Sequence, residues 1–82
     1  MNKKSNVAEG CLTDFLEAYN YTPRKLQSEV MAKIMRVLEI TTKGAFYRKC
    51  KGESRIKKLQ SDAIVDIFKE YNIDAFTGKQ LN

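Results

Sequence analysis

Thr41-Thr42-Lys43-Gly44-Ala45-Phe46-Tyr47-Arg48-Lys49-Cys50-Lys51-Gly52 is a short helix closed at both ends. A threonine hydroxyl at 41 or 42 meets the N-cap requirement, accepting from an orphan amide of the first turn. Gly52 suits the left-handed conformation that ends a helix. Phe46 and Cys50 lie four residues apart and share one face. Lys43, Tyr47 and Lys51 share another, with Gly44 and Arg48 beside them. One side therefore anchors in a core while the other carries cations and a phenol, the division of labour of a helix laid in a DNA groove.

The charge distribution singles out the same stretch. Residues 43–58 carry Lys43, Arg48, Lys49, Lys51, Arg55, Lys57 and Lys58 against Glu53 alone, a net +6, whereas the whole chain is +5. The other residues are close to neutral, so the positive charge is local. A local basic stripe is the electrostatic footprint of a polyanionic partner.

Working outward, Thr41-Thr42 leaves only a short connection to a preceding helix. That helix is expected to start at Thr22-Pro23, with the hydroxyl as cap and proline at the first helical position, and to run to about Ile40. Leu26, Val30, Met31, Ile34, Met35 and Leu38 give it an apolar face wide enough for burial on two sides or a share in a dimer interface. Arg24, Lys25, Lys33 and Arg36 lie elsewhere, and of these only Arg24 and Lys33 are weighed as phosphate contacts. Further upstream, Val7, Cys11, Leu12, Phe15, Leu16 and Tyr19 form a helical stripe over 7–19, with Asn6 and Glu9 as a variant capping box.

Downstream, 52–58 reads as a loop with Ile56 tucked onto the core and Arg55, Lys57 and Lys58 outward. Residues 60–71 read as a helix with a stripe of Ala63, Ile64, Ile67, Phe68 and Tyr71, and Leu59 just ahead of it. Asp62 near its start and Lys69 near its end suit the helix dipole. Asn72 caps it and Ile73 closes the contact after the cap. The tail from Asp74 has no period, with Phe76 and Leu81 as its sizeable apolar groups. No strand alternation stands out. The expected architecture is all-α, a small bundle of four to five helices in one domain spanning 1–82.

The bulk composition excludes several classes. No apolar run approaches the ~20 residues of a membrane span. No apolar segment follows Lys3-Lys4, so no secretory signal is read and a cytoplasmic location is expected. There is no histidine, and Cys11 and Cys50 are the two cysteines. The simpler reading is two reduced thiols, Cys50 as a buried small hydrophobe, although a disulfide between them is the alternative. No cysteine pair at metal spacing, glycine-rich phosphate loop or paired acids at a recognisable site is present, so neither an enzyme nor a bound metal or cofactor is expected.

The stretch Ile40 to Gly52, followed by a spacer and an apolar helix ending Phe68-Lys69-Glu70-Tyr71-Asn72-Ile73, resembles the lambda-repressor-like (Xre-type) helix-turn-helix superfamily of small phage and bacterial DNA-binding domains. Thr42, Phe46, Arg48 and Gly52 match the family's cap, central anchor, following arginine and terminal glycine. The match covers about residues 24–73. Where the family often has glutamine early in the recognition helix, this chain has Lys43, so adenine readout there is not implied. The helix before the turn is also longer than usual.

The resemblance implies a transcription regulator of double-stranded DNA, of phage or mobile-element type, with helix 42–51 in the major groove. Lys49, Lys51, Arg55, Lys57 and Lys58 would neutralise phosphates. Lys43, Tyr47 and Arg48 would lie near base edges, while Thr42 caps the helix start and Gly44 leaves it open to a phosphate. For Tyr47, a partly buried packing ring is an equal alternative. One domain contacts one half-site, so a homodimer is expected. Two alternatives differ in class: a protein-interaction module using the apolar surplus of 26–38, and an RNA binder stacking bases on Tyr47.

Overall fold

The computed structural model describes residues 11–81. Four helices run in order: α1 (Leu16–Tyr21), α2 (Arg24–Leu38), α3 (Lys43–Cys50) and α4 (Lys58–Glu70). A two-stranded antiparallel ribbon follows, β1 (Ile73–Asp74) with β2 (Lys79–Gln80), paired Ile73 to Gln80 and Asp74 to Lys79. The fold is mostly helical, and the ribbon corrects the expectation of an all-α chain. No helix among the described residues is long and apolar enough to cross a membrane.

The core is built on three phenylalanines. Phe15, Phe46 and Phe68 are fully buried with Val30, Ile34, Ile64 and Ile73 around them. Phe15 meets Phe46 edge-on at 5.9 Å and Phe68 at 6.1 Å. Such ring pairs add to the burial of apolar area. The stripe of α2 is spent here: Val30, Met31, Ile34 and Leu38 are buried, while Leu26 and Met35 are half-buried. The main helix contact is α2 on α4. At their outer edge Lys33 bonds Glu70 at 3.0 Å and lies 5.1 Å from the centre of the Tyr71 ring. The Tyr71 hydroxyl donates to Glu29 at 2.6 Å.

The first helix is shorter than its periodicity. Residues 7–10 and the Asn6/Glu9 cap lie outside the described residues. Cys11 to Phe15 are not helical, because their amides serve tertiary partners. The Leu12 amide donates to Ser61 Oγ at 2.8 Å, and the Phe15 amide to the Cys50 carbonyl at 3.0 Å. Leu12 and Phe15 still reach the core from this extended segment.

Thr22 does not cap α2. Its hydroxyl donates back to the Ala18 carbonyl at 2.9 Å, closing α1, and Pro23 occupies the cap position of α2. Gln27 fixes the corner by donating to the carbonyls of Tyr19 and Thr22, both at 3.2 Å. At the other end α2 stops at Leu38, not Ile40, since Glu39 takes a left-handed conformation with φ 58°. The four residues 39–42 then connect α2 to α3.

Two further expectations shift. α4 begins at Lys58, earlier than 60, and Leu59 is 84% exposed and not part of the core. The buried position in that turn belongs to Ser61, whose oxygen holds the Leu12 amide. After α4, Asn72 adopts φ 64° and turns the chain into the ribbon, as a cap residue of that type does. Ile73 is buried, as expected of the residue after the cap.

Candidate nucleic-acid interface

An eight-residue helix is too short to hold itself in water, so α3 depends on its caps and anchors. Thr42 supplies the N-cap, its Oγ accepting from the Ala45 amide at 3.2 Å. Phe46 and Cys50 are completely buried. Phe46 packs edge-on against Tyr19 and Tyr47, each at 5.2 Å. At the C-terminal end, Gly52 has φ 85° and its amide donates to the Lys49 carbonyl at 3.2 Å. Thr13 and Asp14 pass directly over this glycine, and a Cβ there would lie 3.0 Å from the Thr13 carbonyl oxygen. The extended N-terminal segment thus clasps the end of α3 through Gly52 and through the Phe15 amide.

Burial decides what the anchoring side can do. The Cys50 thiol is pushed up to about 12, first by burial and then by the charge of Asp14, with Lys51 opposing. It is a packing group and not a nucleophile. Both cysteines are free thiols, Cys11 half-buried with its sulfur 3.6 Å from the Ile56 carbonyl. The Tyr19 phenol is likewise raised to about 12, by burial first and then by its hydrogen bond with Tyr47.

The opposite side of α3 faces solvent. Gly44, Arg48 and Lys51 are exposed and recur at spacings of four and three, a single stripe. Thr42 and Lys43 are exposed at the helix start, and no atom comes within 4 Å of a Cβ built on Gly44. Tyr47 is half-buried at the edge of this stripe, its ring crossing Tyr19 at 6.2 Å. Packing holds Tyr47, which leaves only its outer edge to a ligand.

The loop after α3 adds a second set of cations. Arg55, Lys57 and Lys58 are exposed around the buried Ile56. With Cys11 they line a shallow groove of about 500 Å³. A smaller one of about 180 Å³ adjoins it, reaching Leu12 and Thr13. Lys49 joins helix to loop, its ammonium donating to the Arg55 carbonyl. That bond uses one of the three N–H groups of Lys49, whose side chain is half-buried between helix and loop. Lys58 bonds Asp62 at 3.0 Å, an exposed pair one helical turn apart and of little energetic weight. Among the described residues Lys43, Arg48, Lys51, Arg55 and Lys57 take part in no salt bridge.

Two residues outside the expected set shape the surface. Gln60 accepts from the Lys57 amide at 3.2 Å, fixing the start of α4. A glutamine three residues after the cap was the legible signal. Lys33, weighed above as a phosphate contact, is tied to Tyr71 and Glu70, which also hold its ammonium protonated well above the usual lysine range. Among the described residues no cluster of three or more histidine, cysteine, aspartate or glutamate side chains is placed to hold a metal. No family model, curated protein or solved structure matches the chain.

Proposed function

We propose that the chain is a sequence-specific double-stranded DNA-binding regulator of the helix-turn-helix kind, with α3 as recognition helix. The observation that supports this best is the two-sidedness of α3. Its inner face is fixed by Phe46 and Cys50, and its outer stripe presents Gly44, Arg48 and Lys51 next to the exposed cations of 55–58. A short turn from α2 and a side-chain cap at Thr42 suit a helix whose start enters the major groove. Arg48, Lys43 and the edge of Tyr47 read bases in this scheme, and Lys51, Arg55, Lys57 and Lys58 hold phosphates. Membership of the lambda-repressor-like superfamily, and a phage or mobile-element origin, are part of the same proposal. The protein-module alternative rested on an apolar surplus over 26–38, but Val30, Met31, Ile34 and Leu38 are consumed by the chain's own core.

Fluorescence anisotropy on duplex DNA over a salt series tests the reading. Four to six phosphate contacts give a log–log salt slope of about −4 to −5. Lys57→Ala with Lys58→Ala should make that slope shallower by about two. Arg48→Ala should cost about 10- to 100-fold at a preferred site and relax the choice of base there. Absence of binding at low salt by a folded protein overturns the proposal.

Gly44→Ala separates stability from recognition. Nothing in the fold obstructs the added methyl, and alanine is the better helix residue by about 0.5–1 kcal/mol. The variant should melt at the same temperature or slightly higher. Its DNA affinity should nonetheless fall several-fold, because the methyl stands where a phosphate or base edge approaches the first-turn amides. Unchanged affinity would move the start of α3 away from the DNA.

A further inference from the structure

The basic face has two halves of different chemistry. The outer stripe of α3 offers Gly44, Arg48 and Lys51, with no bulky apolar side chain among them. The loop half is mixed. Arg55, Lys57 and Lys58 line the groove of about 500 Å³ together with Cys11 and Ile56. Directly after the two lysines comes Leu59, 84% exposed on the first turn of α4. Lysine and arginine side chains lay their methylene stems along apolar surface and keep the charge in water. The groove therefore has apolar walls under a cationic rim, with an exposed leucine next in the chain.

The groove is formed in advance. Ile56 is buried and pins the loop from beneath. The Lys57 amide donates to Gln60 at 3.2 Å, and the Lys57 carbonyl accepts from the Ser61 amide at 2.8 Å. The Cys11 thiol lies 3.6 Å from the Ile56 carbonyl. A surface ordered before contact loses little freedom on binding.

We infer that this groove and Leu59 dock an acidic segment of another protein, one with a bulky apolar side chain between its carboxylates, in competition with DNA. Charge selects the acid. Arg55 and Lys57 take part in no salt bridge among the described residues, and Lys58 meets Asp62 in an exposed pair. Leu59 and the Cys11 thiol select a protein over a phosphate backbone. A phosphate laid on them loses hydration and gains no hydrogen bond in return, whereas a leucine-sized side chain gains apolar contact. The carboxylates beside that side chain then meet the cationic rim. Docking itself does not depend on the DNA reading; the competition rests on it, since that reading gives Arg55, Lys57 and Lys58 to phosphates.

Fluorescence anisotropy tests both, with a short labelled peptide of aspartates and glutamates around two leucines, beside the same peptide with alanines in their place. The leucine peptide should bind with a Kd on the order of tens of micromolar at low salt, and the alanine peptide at least about 5-fold more weakly. Leu59→Ser, and Arg55→Ala with Lys57→Ala, should each weaken the leucine peptide by about 5- to 10-fold. These side chains are exposed, so circular dichroism should show folded proteins. Arg48→Ala, on α3, should leave the peptide bound as before while weakening DNA. An excess of unlabelled duplex should displace the peptide. Equal affinity for the two peptides means attraction by charge alone and overturns the docking. So does a lack of binding at ~500 μM, or a Leu59→Ser variant that binds like wild type. A duplex that binds without displacing the peptide overturns the competition. A protein that takes the peptide and no duplex removes the proposed function and leaves the docking surface standing.

Discussion

Phe46→Ala should cost about 3–5 kcal/mol of stability, the range for removing a fully buried phenyl ring. Phe46 is completely buried and stands between Phe15 on one side and Tyr19 and Tyr47 on the other, with ring centres 5.2–5.9 Å away. No single neighbour can collapse into the space, since each ring is held by its own element: Phe15 in the extended segment, Tyr19 on α1, Tyr47 on α3 itself. A chain of this length has a total stability of roughly 4–12 kcal/mol, so the variant should lose a quarter of it or more. Urea denaturation followed by circular dichroism measures it. Phe46→Leu, which keeps most of the volume, should cost no more than about 1–1.5 kcal/mol. A loss near 1 kcal/mol for the alanine variant would mean that α3 is not anchored as described.

The second large effect is at Gly78. Its φ is 73°, a conformation that side chains with a Cβ resist, and the site is closed as well. A Cβ there would lie 2.6 Å from the Glu17 Cβ and 2.9 Å from the Glu17 carbonyl carbon. The second of these is backbone of α1, so relief requires the ribbon to lift off the helix. Gly78→Ala should therefore cost about 2–4 kcal/mol, the sum of a left-handed strain of about 1 kcal/mol and an overpacking term of 1–3 kcal/mol. Thermal melting beside Gly44→Ala checks it directly: the same chemical change should lower the melting temperature at 78 and not at 44. Equal effects at both sites would contradict the packing of the ribbon against α1.

How far the sequence could be read follows from the range of the forces involved. The caps and anchors of α3 were legible because they act within one or two turns. Thr42 needs only the amide three residues on, Phe46 and Cys50 need only to share a face, and Gly52 needs only its own backbone freedom. The outward set of Gly44, Arg48 and Lys51 follows from the same periodicity, as do the buried stripes of α2 and α4, and Arg55, Lys57 and Lys58 follow from their place as charged residues in a loop. Spacing leaves Tyr47 undecided, and packing against Tyr19 and Phe46 half-buries it with one edge open to solvent.

What failed were the places where a distant group competes for a local one. The apolar period over 11–15 is real, but the Leu12 and Phe15 amides bond Ser61 and Cys50, partners 49 and 35 positions away, and the helix gives way. Thr22 was read forward as a cap and bonds backward, because the corner with Gln27 sets its direction. Lys49 reads as a phosphate cation, and its tie to the Arg55 carbonyl six residues on is set by the fold of the loop. In the first turn of α4 the buried position is Ser61, not Leu59, for the same reason: a buried amide needs an oxygen, and a leucine has none. The ribbon has two residues per strand, too few for alternation to show. The sequence by itself determined a basic, capped helix and the faces of its two longer neighbours, because local periodicity and capping specify those. Only the tertiary structure decided the extended N-terminal clasp, the ribbon and the groove at the basic loop, because these depend on hydrogen bonds and close approaches between segments far apart in the chain.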